Sequence, residues 1–179
     1  VSRARMAGLK AYYGNPLSAH AENYLDISGL GHLLALTPDA HLNALACSRF
    51  KDTFTAKKVF SLRVGSSGGD SRRDTKREGR TAFSEDISYV DLSRRIYGGA
   101  EVRKTSLTET FGMTQFRDLY GERATPLLTV DPKGRIEVFT AEAQLQPAAG
   151  WSIIALIDAG NADADAARSR IEGAAEKAT

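Results

Sequence analysis

Residues 33–46 read Leu33-Leu34-Ala35-Leu36-Thr37-Pro38-Asp39-Ala40-His41-Leu42-Asn43-Ala44-Leu45-Ala46, and the parsing of this stretch decides the fold. The apolar run has no polar alternation, as expected of a strand buried on both faces. It stops at Thr37-Pro38-Asp39. Thr37 suits a helix N-cap, and Pro38 suits the first helical position, where a missing N–H costs nothing. Leu42, Leu45, Ala46, Phe50 and Phe54 then recur at helical spacing.

The same grammar extends to both sides. Residues 9–13, Leu-Lys-Ala-Tyr-Tyr, form a short β-prone run halted by Gly14-Asn15-Pro16. Asn15 suits an N-cap and Pro16 a first helical position, and Leu17, Ala21, Tyr24 and Leu25 follow at helical spacing before Ser28-Gly29-Leu30-Gly31 ends the helix. Residues 57–62 give a third strand. The order β-α-β-α-β over residues 9–63 predicts a parallel sheet with right-handed crossovers, a partial Rossmann-like α/β fold. In such sheets ligands bind beyond the carboxyl ends of the strands. Gly14-Asn15 and Thr37-Pro38-Asp39 fall at that edge. Asn15 and Thr37 either only cap their helices or, with the helix N–H groups, hold a phosphate or ribose.

Residues 64–80 differ in kind. They hold four Gly, three Ser, five basic and three acidic residues around a single apolar Val64, which predicts a linker. Residues 81–158 predict a second, small α+β domain. Its expected elements are a strand at 82–88, a helix at 89–97 stopped by Gly98-Gly99, a strand at 101–105 and a helix at 108–120. A hairpin of 126–130 with 135–140 turns on Asp131-Pro132-Lys133-Gly134, a type I turn signature, and 151–157 form a last buried strand. Residues 159–179 are an Ala-rich, charged tail with too few large apolar residues to bury.

Composition narrows the function. A net charge of +2 is too small to argue for nucleic acid. The single cysteine, Cys47, excludes a disulfide within the chain, and its place on the expected packing face predicts a small core residue rather than a nucleophile. His20, His32 and His41 have spacings that fit no compact ligand set, so no metal site is expected. The longest runs free of Asp, Glu, Lys and Arg, 27–38 and 143–157, are too short to span a bilayer. No G-x-S-x-G and no P-loop is present, and Gly65-Ser66-Ser67-Gly68-Gly69 leads into no helix pattern. Glu85 and Asp86 are adjacent on an expected strand, which would point them to opposite faces. No enzymatic site is expected. The chain opens on Val1 rather than Met, which reads as a piece of a longer protein.

The stretch from Arg5 to Ala46 resembles the second half of the regulatory nucleotide-binding domain of potassium channels and transporters, the TrkA-N or RCK type. It is most similar to the version attached to bacterial NhaP-like sodium/proton antiporters. The residues that carry the resemblance are Gly14-Asn15, the Leu25 to Gly31 segment with its Gly29-Leu30-Gly31, the apolar Leu33 to Leu36, and Thr37-Pro38-Asp39 through Asn43. It covers residues 1–63, and 83–158 resemble the small module that follows in these antiporters. The family's first strand, its G-x-G-x-x-G turn and its ribose-binding carboxylate have no counterpart here. The resemblance implies a cytosolic regulatory domain of a monovalent cation/proton antiporter, on the cytoplasmic side of the bacterial inner membrane. It implies gating of transport through a nucleotide (AMP, ATP or NAD) and through homo-dimers or higher homo-oligomers, with the membrane transport domain of the same polypeptide as partner. By the same resemblance, Gly14, Asn15, Thr37, Asp39 and Asn43 would lie nearest the nucleotide. A fragment of a soluble nucleotide-dependent oxidoreductase and an oligomerisation module without ligand are the alternatives.

Overall fold

The computed structural model describes residues 1–18, 20–21, 27–63, 79–143 and 145–159. The chain is mixed α/β and divides into two compact units. Their described parts are residues 1–61 with 79–80, and residues 62–63 with 81–159. The expected linker lies outside the described residues except for 79–80, as does the tail except for residue 159. Most of the helix expected after Pro16 is likewise undescribed.

The first unit opens with a five-residue helix α1 (Ser2–Met6). Strand β1 (Leu33–Ala35), helix α2 (Ala40–Phe54) and strand β2 (Val59–Ser61) follow. β1 and β2 are parallel, with Leu33 beside Val59 and Ala35 beside Ser61, so β1-α2-β2 is the crossover unit of a Rossmann-like sheet. β3 (Arg80–Thr81) completes the order β1-β2-β3. The helix buries Asn43, Ala46, Cys47 and Phe54. Ala46, Cys47 and Phe54 meet Ala35 and Val59 in one core, with Leu17, Ile27, Leu33 and Phe50 packed around it. The buried stripe therefore runs 43, 46, 47, 50, 54, and Leu45 is exposed. At about 100° per residue, Leu45 falls off that face. Gly79, at φ 96, approaches the core so closely that a Cβ would stand 3.1 Å from Cys47 Sγ and 3.2 Å from the Val59 carbonyl.

Three expectations fail in this unit. Asn15 and Pro16 do not open a helix: residues 16–18 turn, and the helical Ala21 N–H donates to Ser18 Oγ at 3.1 Å. Residues 9–13 form no strand. A strand exists only through its ladder, and here the Ala11 carbonyl accepts from the Arg5 guanidinium instead, at 3.2 and 3.0 Å. The N-cap of α2 is Asp39, not Thr37, and Pro38 precedes the cap.

The second unit contains α3 (Tyr89–Tyr97), β4 (Glu101–Ser106), α4 (Met113–Tyr120), β5 (Ala124–Val130), β6 (Ile136–Val138) and β7 (Ser152–Ile157). α3 starts at a capping box: Asp91 N–H donates to Ser88 Oγ at 3.2 Å, and Ser88 N–H donates to Asp91 Oδ2 at 3.1 Å. The strands form an antiparallel sheet in the order β4-β7-β5-β6. β7 is central, and its Ile153, Ala155 and Ile157 pack with Phe116 and Tyr120 of α4 and with Leu107, Phe111 and Phe139. The 108–120 helix begins only at Met113, because Thr108 first closes a turn, its Oγ1 accepting from Phe111 N–H at 3.0 Å. The expected strand at 82–88 reduces to two isolated bridges, Ala82 with Thr140 and Ser88 with Arg63, and 85–86 turn between them.

The β5-β6 hairpin turns where expected. Asp131 Oδ1 accepts from the N–H groups of Lys133 and Arg135 at 2.8 Å each, and Oδ2 pairs with Arg135 Nε at 2.5 Å. Desolvation alone would raise the Asp131 carboxyl, but the Arg135 and Lys133 N–H groups and the Arg135 guanidinium outweigh it and hold it below 3.8. The Ser88 hydroxyl and N–H likewise lower Asp91. A lowered folded value means that the unfolded chain takes up the proton first. Stability from both carboxylates is thus present above 3.8 and lost as pH falls through the lower folded values. Urea midpoints followed from neutral to strongly acid pH are expected to drop on that acid limb, and Asp131→Asn is expected to flatten it.

Candidate functional site

The site residues expected at the sheet edge fall into two separate turns. In the first, Gly14 is extended (φ 159), and Asn15 Oδ1 accepts from Leu17 N–H at 2.9 Å. The Asn15 carbonyl takes Ser18 N–H and Oγ–H, and Ser18 Oγ in turn accepts from Ala21 N–H at 3.1 Å. Among the described residues, the hydrogen bonds of Asn15 thus stay inside its own turn.

Thr37, Asp39 and Asn43 are brought together in the second. Buried Asn43 reaches back over one helical turn. Its Oδ1 accepts from Thr37 N–H at 3.1 Å and from Thr37 Oγ1–H at 2.6 Å, and its Nδ2 donates to the Thr37 carbonyl at 2.9 Å. Asp39 Oδ1 accepts from His41 N–H at 2.9 Å and from Leu42 N–H at 3.1 Å. This clasp fixes the exit of β1 against the start of α2. It also occupies the anion position of that helix: the N–H groups that could face a phosphate already face a carboxylate. A nucleotide phosphate placed there would meet like charge.

A second place was not legible as a site in the sequence. The second unit carries an open groove of about 550 Å³, within the size range of small-ligand sites. Its apolar floor includes Phe83, Met113, Phe116 and Phe139, and its charged groups are Glu85, Asp86 and Arg117. Glu85 and Asp86 both line it because they lie in a turn, not on a strand that would part them. The turn originates at Phe83, which has φ 69. Ser84 N–H donates to the Ala82 carbonyl at 2.9 Å across it, closing a γ-turn, and Phe83 N–H donates to the Phe139 carbonyl at 2.6 Å. A phenylalanine in this region costs on the order of 1–3 kcal/mol, held by the surrounding structure. β5 is irregular too: its register with β7 shifts between Pro126 and Leu128, and Pro126 forms part of the groove wall. Bulges and strained backbone concentrate beside functional sites.

Among the described residues, no group of three or more His, Cys, Asp or Glu could hold a metal ion, and no helix is long and apolar enough to cross a membrane. No family model matches the chain, and no curated protein matches it.

Proposed function

We propose that this chain is a regulatory domain of a monovalent cation/proton antiporter, held on the cytoplasmic side of the bacterial inner membrane and acting by binding and association rather than by chemistry. The observation that carries the reading is the Thr37-Asp39-Asn43 clasp. Of the residues behind the resemblance, those from Leu33 to Asn43 form the strand-to-helix junction of a parallel β-α-β unit, at the strand end where such folds bind ligands. A regulator shifts its transporter only through differential affinity for two states, and a clasped junction would offer two: closed on its own Asp39, or opened onto a nucleotide that a partner or another part of the polypeptide helps to hold.

Among the described residues β1 stands at the end of its sheet, and an unpaired strand edge is a template for another chain. A homo-dimer that covers it is part of the proposal, with light scattering at tens of micromolar as the check.

Two experiments test the reading. The open reading frame upstream of Val1 is expected to encode membrane-spanning helices ending in a glycine-rich strand-turn, and a frame without spans overturns it. Calorimetry with AMP, ATP and NAD is expected to show at best millimolar affinity for the chain alone. A helix N-terminus contributes about 0.3–1 kcal/mol per anionic group, whereas millimolar binding already needs about 4 kcal/mol. Micromolar binding would place the nucleotide site outside the Thr37 clasp.

A further inference from the structure

We propose that the groove of the α+β unit binds a short zwitterion with large apolar side chains, the chemistry shared by an apolar dipeptide and a large apolar amino acid. This site stands apart from the antiporter reading, since it rests on the second unit alone.

Three features of the groove define the ligand. Its floor is aromatic, with Phe83, Phe116 and Phe139 all lining it and all buried, so it favours an apolar or aromatic group leaving water. Its charges are of both signs. Glu85 and Asp86 come from the turn after Phe83, and Arg117 comes from α4. A ligand with only a positive or only a negative group would satisfy one and leave the other facing it. A free ammonium matched to the carboxylates and a free carboxylate matched to the guanidinium satisfy both, and Arg is suited to bidentate carboxylate recognition. The third feature is the backbone. The γ-turn at Phe83 places Glu85 and Asp86 together on the groove lining, next to buried Phe83. The size fits: the volume of about 550 Å³ holds a dipeptide with two large side chains, and a single amino acid would fill part of it.

The test is calorimetric or NMR titration of the whole chain with L-phenylalanyl-L-phenylalanine and with L-phenylalanine. Saturable binding is expected in the millimolar range or tighter, and the tighter of the two identifies peptide or amino acid as the source. N-acetylation of the dipeptide, or amidation of its carboxylate, is expected to weaken binding about tenfold each, the loss of one charge-assisted contact. Arg117→Gln is expected to abolish the preference for the free carboxylate but keep that for the free ammonium. Glu85→Gln with Asp86→Asn is expected to do the reverse. All three side chains belong to exposed residues, so these variants are expected to fold, and unchanged far-UV circular dichroism and melting temperature verify that. No saturable binding by either ligand overturns the proposal. So does a capped dipeptide that binds as well as the free one, or a charge preference that survives its matching substitution.

Discussion

Phe116→Ala is expected to destabilise the α+β unit by about 3–5 kcal/mol, the loss typical of truncating a buried aromatic residue. Phe116 is among the largest fully buried side chains of the described residues, at 1% exposure. It packs against Tyr120, with ring centroids 4.9 Å apart and planes tilted by 49°, and belongs to the cluster formed with Ile153, Ala155 and Ile157 of the central strand. β7 is hydrogen-bonded on both edges and cannot move in, so the void stays open and joins the groove that Phe116 lines. A domain of this size has about 5–15 kcal/mol in total, so the variant should lie close to unfolding at 37 °C. Trp151 is the only tryptophan and packs against this cluster. Its fluorescence during urea unfolding therefore reports this unit. A loss below about 1 kcal/mol would show that the cluster is not the core of the unit.

Arg95→Ala is expected to cost about 2–3 kcal/mol by the same measurement, from hydrogen bonds made by a charged group. Arg95 projects from α3, whose own residues are none of them buried. Its Nε pairs with Asp158 Oδ1 at 2.6 Å, and its Nη2 donates to the Arg123 carbonyl at 2.6 Å and the Leu156 carbonyl at 3.3 Å. Its Nη1 donates to Thr125 Oγ1. One side chain therefore ties α3 to the ends of β5 and β7. The ion pair itself is discounted, since the Asp158 side chain is 39% exposed and solvent screens it. Most of the loss is that of the guanidinium's bonds to Thr125 and to the Leu156 and Arg123 carbonyls, the last of which keeps Asp158 N–H as a donor at 3.0 Å. Arg95→Lys is expected to recover less than half of it, because an ammonium lacks the planar fork that reaches four acceptors. Full recovery by lysine would mean that charge alone holds the helix.

Where local chemistry suffices, the sequence by itself determined the structure. Tyr89–Tyr97 is legible to the residue, because Ser88 and Asp91 cap it from within and Gly98-Gly99 stop it. The Asp131 hairpin is legible because one side chain closes the turn over four residues. The β1-α2-β2 crossover is legible from its apolar run, its Thr-Pro-Asp stop and its helical period.

Tertiary structure alone decided which segments became strands and where polar groups pointed. Residues 9–13 have strand-like composition, but a strand needs a partner, and composition does not name one. Thr37 and Asn43 were legible as polar groups at a sheet edge. That they close on each other, with Asp39 filling the helix terminus, depends on how α2 leaves β1. Glu85 and Asp86 are adjacent in sequence, and only backbone conformation decides whether they part or converge. The bond from Phe83 N–H to the Phe139 carbonyl joins residues separated by two helices and three strands, and it fixes that conformation. Contacts between residues so far apart carry no local periodicity, which is why the groove becomes visible only once the chain has closed around it.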